Sequence, residues 1–268
     1  MYVRYKGLLF KLLLLVLFYF SLSAHSNQTI CGGSSDLLSF VDRPTVGDSA
    51  CVAPEKTVIL ESGYQYQQLS GEGTQQNFTS SELRLGLADR YELNILLPNY
   101  IVQTKPTVAG FSPITLRVKH EIKSNEKWVF SIEGFATLPS GTATYGSRRV
   151  GETFNGIFSY NLSTEFNISG MFGVSSQSEP INSGGQRYFT VNPDLVLAWS
   201  KDKLSLYGEM YGQSKTGPQE GSGFNMDAGV LYLIRKNIII DLEIGHRISG
   251  ELGGFNHYVG TGISIQFT

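Results

Sequence analysis

Ile238-Ile239-Ile240-Asp241-Leu242-Glu243-Ile244-Gly245-His246 is the stretch on which the fold turns. Ile238, Ile240, Leu242 and Ile244 fall on one side of an extended chain, Asp241 and Glu243 on the other. Successive side chains of a strand point to opposite faces, so a period of two describes a strand with one apolar and one polar face. The pattern recurs downstream at 256–267, where Val259, Ile263, Ile265 and Phe267 oppose Gly260, Gly262, Ser264 and Gln266. Upstream it recurs at 57–67, 81–87, 90–97, 113–122, 127–137, 150–160, 163–174, 188–200, 203–212 and 223–233. These are about 12 strands, with a range of roughly 10–14 because 138–160 and 186–200 admit other cuts.

A soluble β-sandwich also alternates, and three features favour a barrel in a membrane. Large aromatics close the apolar faces near strand ends: Tyr64, Tyr91, Trp128, Tyr160, Trp199, Tyr232 and Phe267. Such residues form the interfacial girdles of outer-membrane barrels. The connections also alternate in length. Short ones (Ala88-Asp89, 124–126, Asn161-Leu162, Lys201-Asp202, 234–237) interleave with long ones at 68–80, 98–112, 138–149, 175–187, 213–222 and 247–255. A meander barrel with short periplasmic turns and long outer loops shows that rhythm. Finally, the central apolar positions carry no Lys, Arg, Asp or Glu. In lipid every backbone polar group needs an internal partner, which a closed sheet supplies and an open one does not. The expected fold is therefore an all-β, transmembrane, antiparallel up-and-down meander barrel over 57–268, with no large helical domain.

The first residues point to export. Arg4, Lys6 and Lys11 precede the apolar run 12–20, which ends at Ser21-Leu22-Ser23-Ala24. Charge, short apolar core and small residues, in that order, read as a signal peptide, 1–24. A spanning helix wants ~20 apolar residues, more than this run holds. Residues 25–56 show no sustained period and read as a periplasmic N-terminal segment, although entry into the lumen as a plug stays open. Cys31 and Cys51 lie within it and read as a disulfide in an oxidising compartment. Metal or redox chemistry is disfavoured, since there is no C-x-x-C and no neighbouring His.

Without Arg4, Lys6 and Lys11, the 21 Lys and Arg fall to 18 against 23 Asp and Glu. A mildly acidic chain lacks the basic face that nucleic-acid binding requires. An outer-membrane hydrolase would need a Ser or Asp beside a His. His246 follows Asp241, but residues five apart on a strand face opposite ways, ~16 Å apart. No nucleophile motif, metal-ligand spacing or phosphate loop is present, so the chain reads as neither an enzyme nor a cofactor protein. The informative polar set is the lumen face: acids Glu61, Glu92, Glu121, Glu133, Glu165, Asp194, Glu209, Asp227, Asp241 and Glu243, and bases Arg84, Arg117 and Lys119. These charges either pair across neighbouring strands, as Arg84 and Glu92 could, or line a water-filled path that favours cations and neutral solutes over anions.

Glu61-Ser62-Gly63-Tyr64, Leu83-Arg84-Leu85-Gly86-Leu87 with Glu92 following, Arg117-Val118-Lys119, Leu138-Pro139-Ser140-Gly141 and Tyr258-Val259-Gly260-Thr261-Gly262 through Phe267 occur in that order. Through them most of the mature chain resembles the MetA-pathway of phenol degradation family of Gram-negative outer-membrane transporters. Ser140 stands where that family carries Thr, and Thr268 follows the terminal aromatic. The resemblance implies an outer-membrane location, a terminal signal read by the barrel-insertion machinery, and a link to aromatic catabolism. The expectation is a passive transporter or channel for small solutes, hydrophobic or aromatic ones among them, with outer-membrane lipid around it. The alternative is a closed structural barrel acting through outer loops such as 68–80 and 175–187.

Overall fold

The computed structural model describes residues 29–31, 37–88 and 90–267. The expected leader, 1–24, lies outside them. Among the described residues no helix is long and apolar enough to cross a membrane. Strands do so instead: β1 (Val58–Leu69), β2 (Thr74–Ala88), β3 (Tyr91–Leu96 and Tyr100–Thr104), β4 (Thr107–Phe111 and Thr115–Ser124), β5 (Trp128–Thr137), β6 (Gly151–Asn161), β7 (Phe166–Ser178), β8 (Arg187–Lys201), β9 (Leu204–Gln213), β10 (Gly223–Arg235), β11 (Ile238–Ser249) and β12 (Phe255–Phe267). Each pairs antiparallel with its chain neighbours, and β1 pairs with both β2 and β12. The sheet is thus a closed 12-strand barrel.

β3 and β4 are interrupted strands rather than pairs of strands. Leu96 opposes Thr115 and Tyr100 opposes Phe111, so the register is continuous across the gap. The same holds toward β2, where Glu82 opposes Leu96 and Phe78 opposes Tyr100. Pro98 and Pro113 sit at the two breaks, and proline cannot donate to a ladder. The Leu97 and Ser112 amides still bridge to the Ser81 and Asn99 carbonyls.

This corrects two connections. Residues 68–80 and 98–112 are not long loops but β-hairpins that prolong the wall beyond the apolar band. The turns closing them, 70–73 and 105–106, are tight. Loop 138–150 remains long and lies against the free side of β4, where the Thr142 amide donates to the Phe111 carbonyl at 3.0 Å. Likewise β7 begins at Phe166, so 163–165 belong to a turn.

The outer face carries the apolar band: Leu116, Phe154, Phe172, Leu197, Met210, Leu242 and Ile244 are all exposed. Trp128 and Tyr160 are direct cross-strand neighbours at the short-turn end, as are Phe166 and Trp199. Toward the other end Tyr64, Phe78, Tyr100 and Phe111 form a row across β1–β4, with successive ring centroids 5.4, 6.3 and 5.0 Å apart. These are the two girdles of a membrane barrel, and the location is the bacterial outer membrane.

Candidate functional site

Inside the barrel lies residue segment 37–56. The expected periplasmic placement of this segment gives way to the plug arrangement. Ile30 donates to the Asn125 carbonyl at 2.8 Å, beside a short turn, and Lys56 donates to Gly86 at 2.9 Å, just before β1. The chain therefore enters and leaves the lumen at the short-turn end, with its tip at Arg43-Pro44. Cys31 and Cys51 form a disulfide across this loop. Thr45 donates to the Asp42 and Gly47 carbonyls (2.9 and 2.8 Å), and Ser49 donates its amide to Asp42 Oδ1 (2.9 Å), which folds the tip on itself.

Two wall carboxylates each hold a pair of successive plug amides. Glu61 on β1 accepts from Asp42 and Arg43 at 3.0 and 2.8 Å. Glu209 on β9 accepts from Val46 and Gly47 at 3.0 and 2.7 Å. Glu92 on β3 accepts the Ala53 amide. A buried amide costs free energy unless paired, and a carboxylate gives it a charge-assisted bond.

The inward bases Arg84, Arg117 and Lys119 sit on one wall among acids, Asp241 and Glu243 stand on another, and the plug answers both. On β2 and β4, Arg84, Arg117 and Lys119 converge on Asp42 at 3.2, 2.7 and 3.2 Å, and Arg117 also reaches Asp48. Burial by itself would raise the Asp42 carboxyl, but the Arg84, Lys119 and Arg117 cations outweigh it and hold that carboxyl well below the usual range. The next residue turns the other way. Arg43 Nη2 lies 3.1 Å from Asp241 and 4.0 Å from Glu243 on β11. Burial opposes its charge, and Asp241 more than compensates, raising it above its ordinary value. Room for this guanidinium comes from Gly63 and Gly262, where a Cβ would fall 2.2 and 2.3 Å from its atoms.

Of the thirteen charged residues expected on the lumen face, twelve are buried: Glu61, Arg84, Glu92, Arg117, Lys119, Glu121, Glu133, Asp194, Glu209, Asp227, Asp241 and Glu243. Arg84 grips Glu92 through two bonds of 2.8 and 2.9 Å and also reaches Glu61 at 2.8 Å. Glu133 accepts from Asn155 at 2.8 Å and stands 3.7 and 3.9 Å from Arg117 and Lys119. Asp227 accepts from the Tyr258 hydroxyl at 2.6 Å. Glu165 departs from expectation: it caps the turn before β7, bonded to Trp199 (2.9 Å) and Lys201 (3.3 Å). Asp42, Arg43 and Asp48 escaped the sequence reading because their segment has no period. Glu82, which pairs with Arg117, follows the same alternation as Arg84 and was legible there.

Two cavities flank the plug tip. One, of about 340 Å³, opens among the short turns and sets Leu38, Val41 and Leu231 against Ser159, Ser169 and Ser205. The other, of about 260 Å³, lies on the outer side. Arg43 and Pro44 line both. Along β8–β11 run Asp194, Glu209, Asp227, Glu243 and Asp241. Glu209 faces Asp227 directly across β9 and β10. Among the described residues, Asp194, Glu209 and Asp227 form no ion pair with a base, and no His, Cys, Asp and Glu group is arranged to hold a metal ion.

The barrel is similar to solved outer-membrane structures. An outer membrane channel from Pseudomonas putida F1 superposes with a TM-score of 0.68 at 13% identity, covering 84% of this chain and 100% of that one. The KdgM porin (TM-score 0.53, 9% identity, 78% and 99% coverage) and the NanC porin (0.52, 10%, 78% and 98%) share the fold more distantly. No curated protein matches the chain in sequence. The sequence family described as "Putative MetA-pathway of phenol degradation" matches residues 42–267, from the plug tip through the last strand, and the chain belongs to that family.

Proposed function

We propose that the protein is a passive outer-membrane channel narrowed by its own N-terminal segment, carrying small solutes with a preference for cations and neutral molecules over anions. The observation that carries this reading is the pair of cavities on either side of Arg43-Pro44 inside a closed barrel, whose wall also carries Asp194, Glu209 and Asp227, paired with no base among the described residues. Rings of carboxylates in a pore favour cations by field strength alone. Neutral solutes, hydrophobic or aromatic ones among them, suit the turn-side cavity, whose lining mixes Leu38, Val41, Val196 and Leu231 with several hydroxyl groups. Such passage requires no cofactor, energy coupling or catalysis. In this reading 1–24 is the export signal, and Phe267 serves the barrel-insertion machinery.

Purified protein in a planar bilayer should conduct potassium ions and pass small neutral solutes. A membrane that stays sealed across voltages and solutes would refute the channel. That result would favour a closed structural barrel, a reading supported by the many ion pairs that hold the plug.

A further inference from the structure

The outer cavity has the chemistry of a site for a small organic cation. Its wall combines the rings of Tyr211, Phe255 and Tyr258 with the carboxylate of Glu243, and Val46 of the plug forms part of its wall. Phe255 and Tyr258 pack edge to face with centroids 4.9 Å apart, and an aromatic face within reach of the cavity would attract a cation. The Tyr258 hydroxyl donates to Asp227 at 2.6 Å. That bond pushes electron density into the ring and strengthens the negative potential of its face. Asp227 is itself buried, and its Oδ1 has no hydrogen-bond donor in the structure.

One base lines the cavity, Arg43, and its guanidinium is already matched to Asp241 at 3.1 Å. Arg43 also lies 4.0 Å from Glu243, so two carboxylates share one guanidinium and the surroundings are net negative; an anion entering here would meet both. A neutral apolar molecule would gain the rings but leave the excess carboxylate charge without a partner. A protonated or quaternary amine answers both, through cation–π contact and through the carboxylate. At about 260 Å³ the cavity sits near the lower end of small-molecule pockets.

We propose that this cavity binds a small organic ammonium ion on its way past the plug. The proposal rests on the channel reading for its biological sense but not for its test. The probe is choline, with 3,3-dimethylbutan-1-ol as its neutral isostere, titrated into the purified, disulfide-intact protein by calorimetry. Choline should bind at least tenfold more tightly than the alcohol. Glu243→Gln and, separately, Phe255→Leu should each weaken choline at least tenfold while leaving the heat-modifiable gel shift of the folded barrel intact. If Glu243→Gln fails to fold, Phe255→Leu decides. Equal affinity for choline and the alcohol, or no binding of either, overturns the proposal. Potassium conductance, measured on the same preparation, separates the two ideas. A conducting barrel blind to choline sinks the ammonium site alone, and a sealed barrel that binds choline sinks the channel alone.

Discussion

Asp42 faces three cations at once, in a place where water is scarce. Neutralising it leaves Arg84, Arg117 and Lys119 with one counter-charge fewer. Removing one partner of a buried ion pair typically costs about 3–5 kcal/mol. Asp42→Asn should therefore release the plug tip. The expected outcome is a several-fold rise in single-channel conductance with the barrel still folded; an unchanged conductance would mean that the amide clamps of Glu61 and Glu209 hold the plug unaided. On the outer face the logic reverses. Leu242 stands in the middle of β11 and is exposed to lipid. Leu242→Lys puts a charge into the apolar band and should lower stability by about 2–4 kcal/mol. A urea titration in lipid vesicles would read this loss, and wild-type stability would show that β11 is not lipid-facing at that height.

At the scale of elements, the plug loop and the hairpins differ in how they are held. Cys31 and Cys51 are 20 residues apart in sequence. Closing a loop of that length removes unfolded-state entropy equivalent to about 3 kcal/mol. Replacing both cysteines with serine should lower thermal stability accordingly and increase protease cutting within 25–56, whereas the gel shift of the barrel should persist. The hairpin tips of β1–β2 and β3–β4 show why part of the barrel was illegible. Thr74-Gln75-Gln76-Asn77 and the neighbouring Thr79-Ser80-Ser81 are polar on both faces. A strand that has left the bilayer meets water outside and a wet lumen inside, so no apolar alternation remains to be read. Thr79, at φ 49°, adds a bulge that exchanges the two faces, turning Asn77 inward and Phe78 outward. Pro98 and Pro113 further disguise the outer halves of two strands as one long loop, 98–112.

For the whole molecule, the lumen has a polarity of its own: bases on β2 and β4, unpaired acids on β8–β10. Asp194→Asn combined with Asp227→Asn removes two carboxylates that touch no base among the described residues. Under a potassium chloride gradient the wild-type reversal potential should lie on the cation-selective side, and the double variant should move toward zero. An unmoved potential would show that the ions pass elsewhere. The sequence by itself determined about twelve strands, the inward and outward faces of their membrane-spanning parts and the membrane around them. Alternation is a local property of an extended chain, and lipid punishes every exception to it. The buried charged residues of the lumen wall were legible for the same reason. What they do was not. Glu61, Glu92 and Glu209 proved to hold plug amides, and Asp42 and Arg43 proved to bridge opposite walls, because these contacts join residues far apart in the chain and obey no period. Only the closed barrel brings the N-terminal segment against both walls, and only there does a run that looks like an irregular loop become packing inside the lumen, between two cavities.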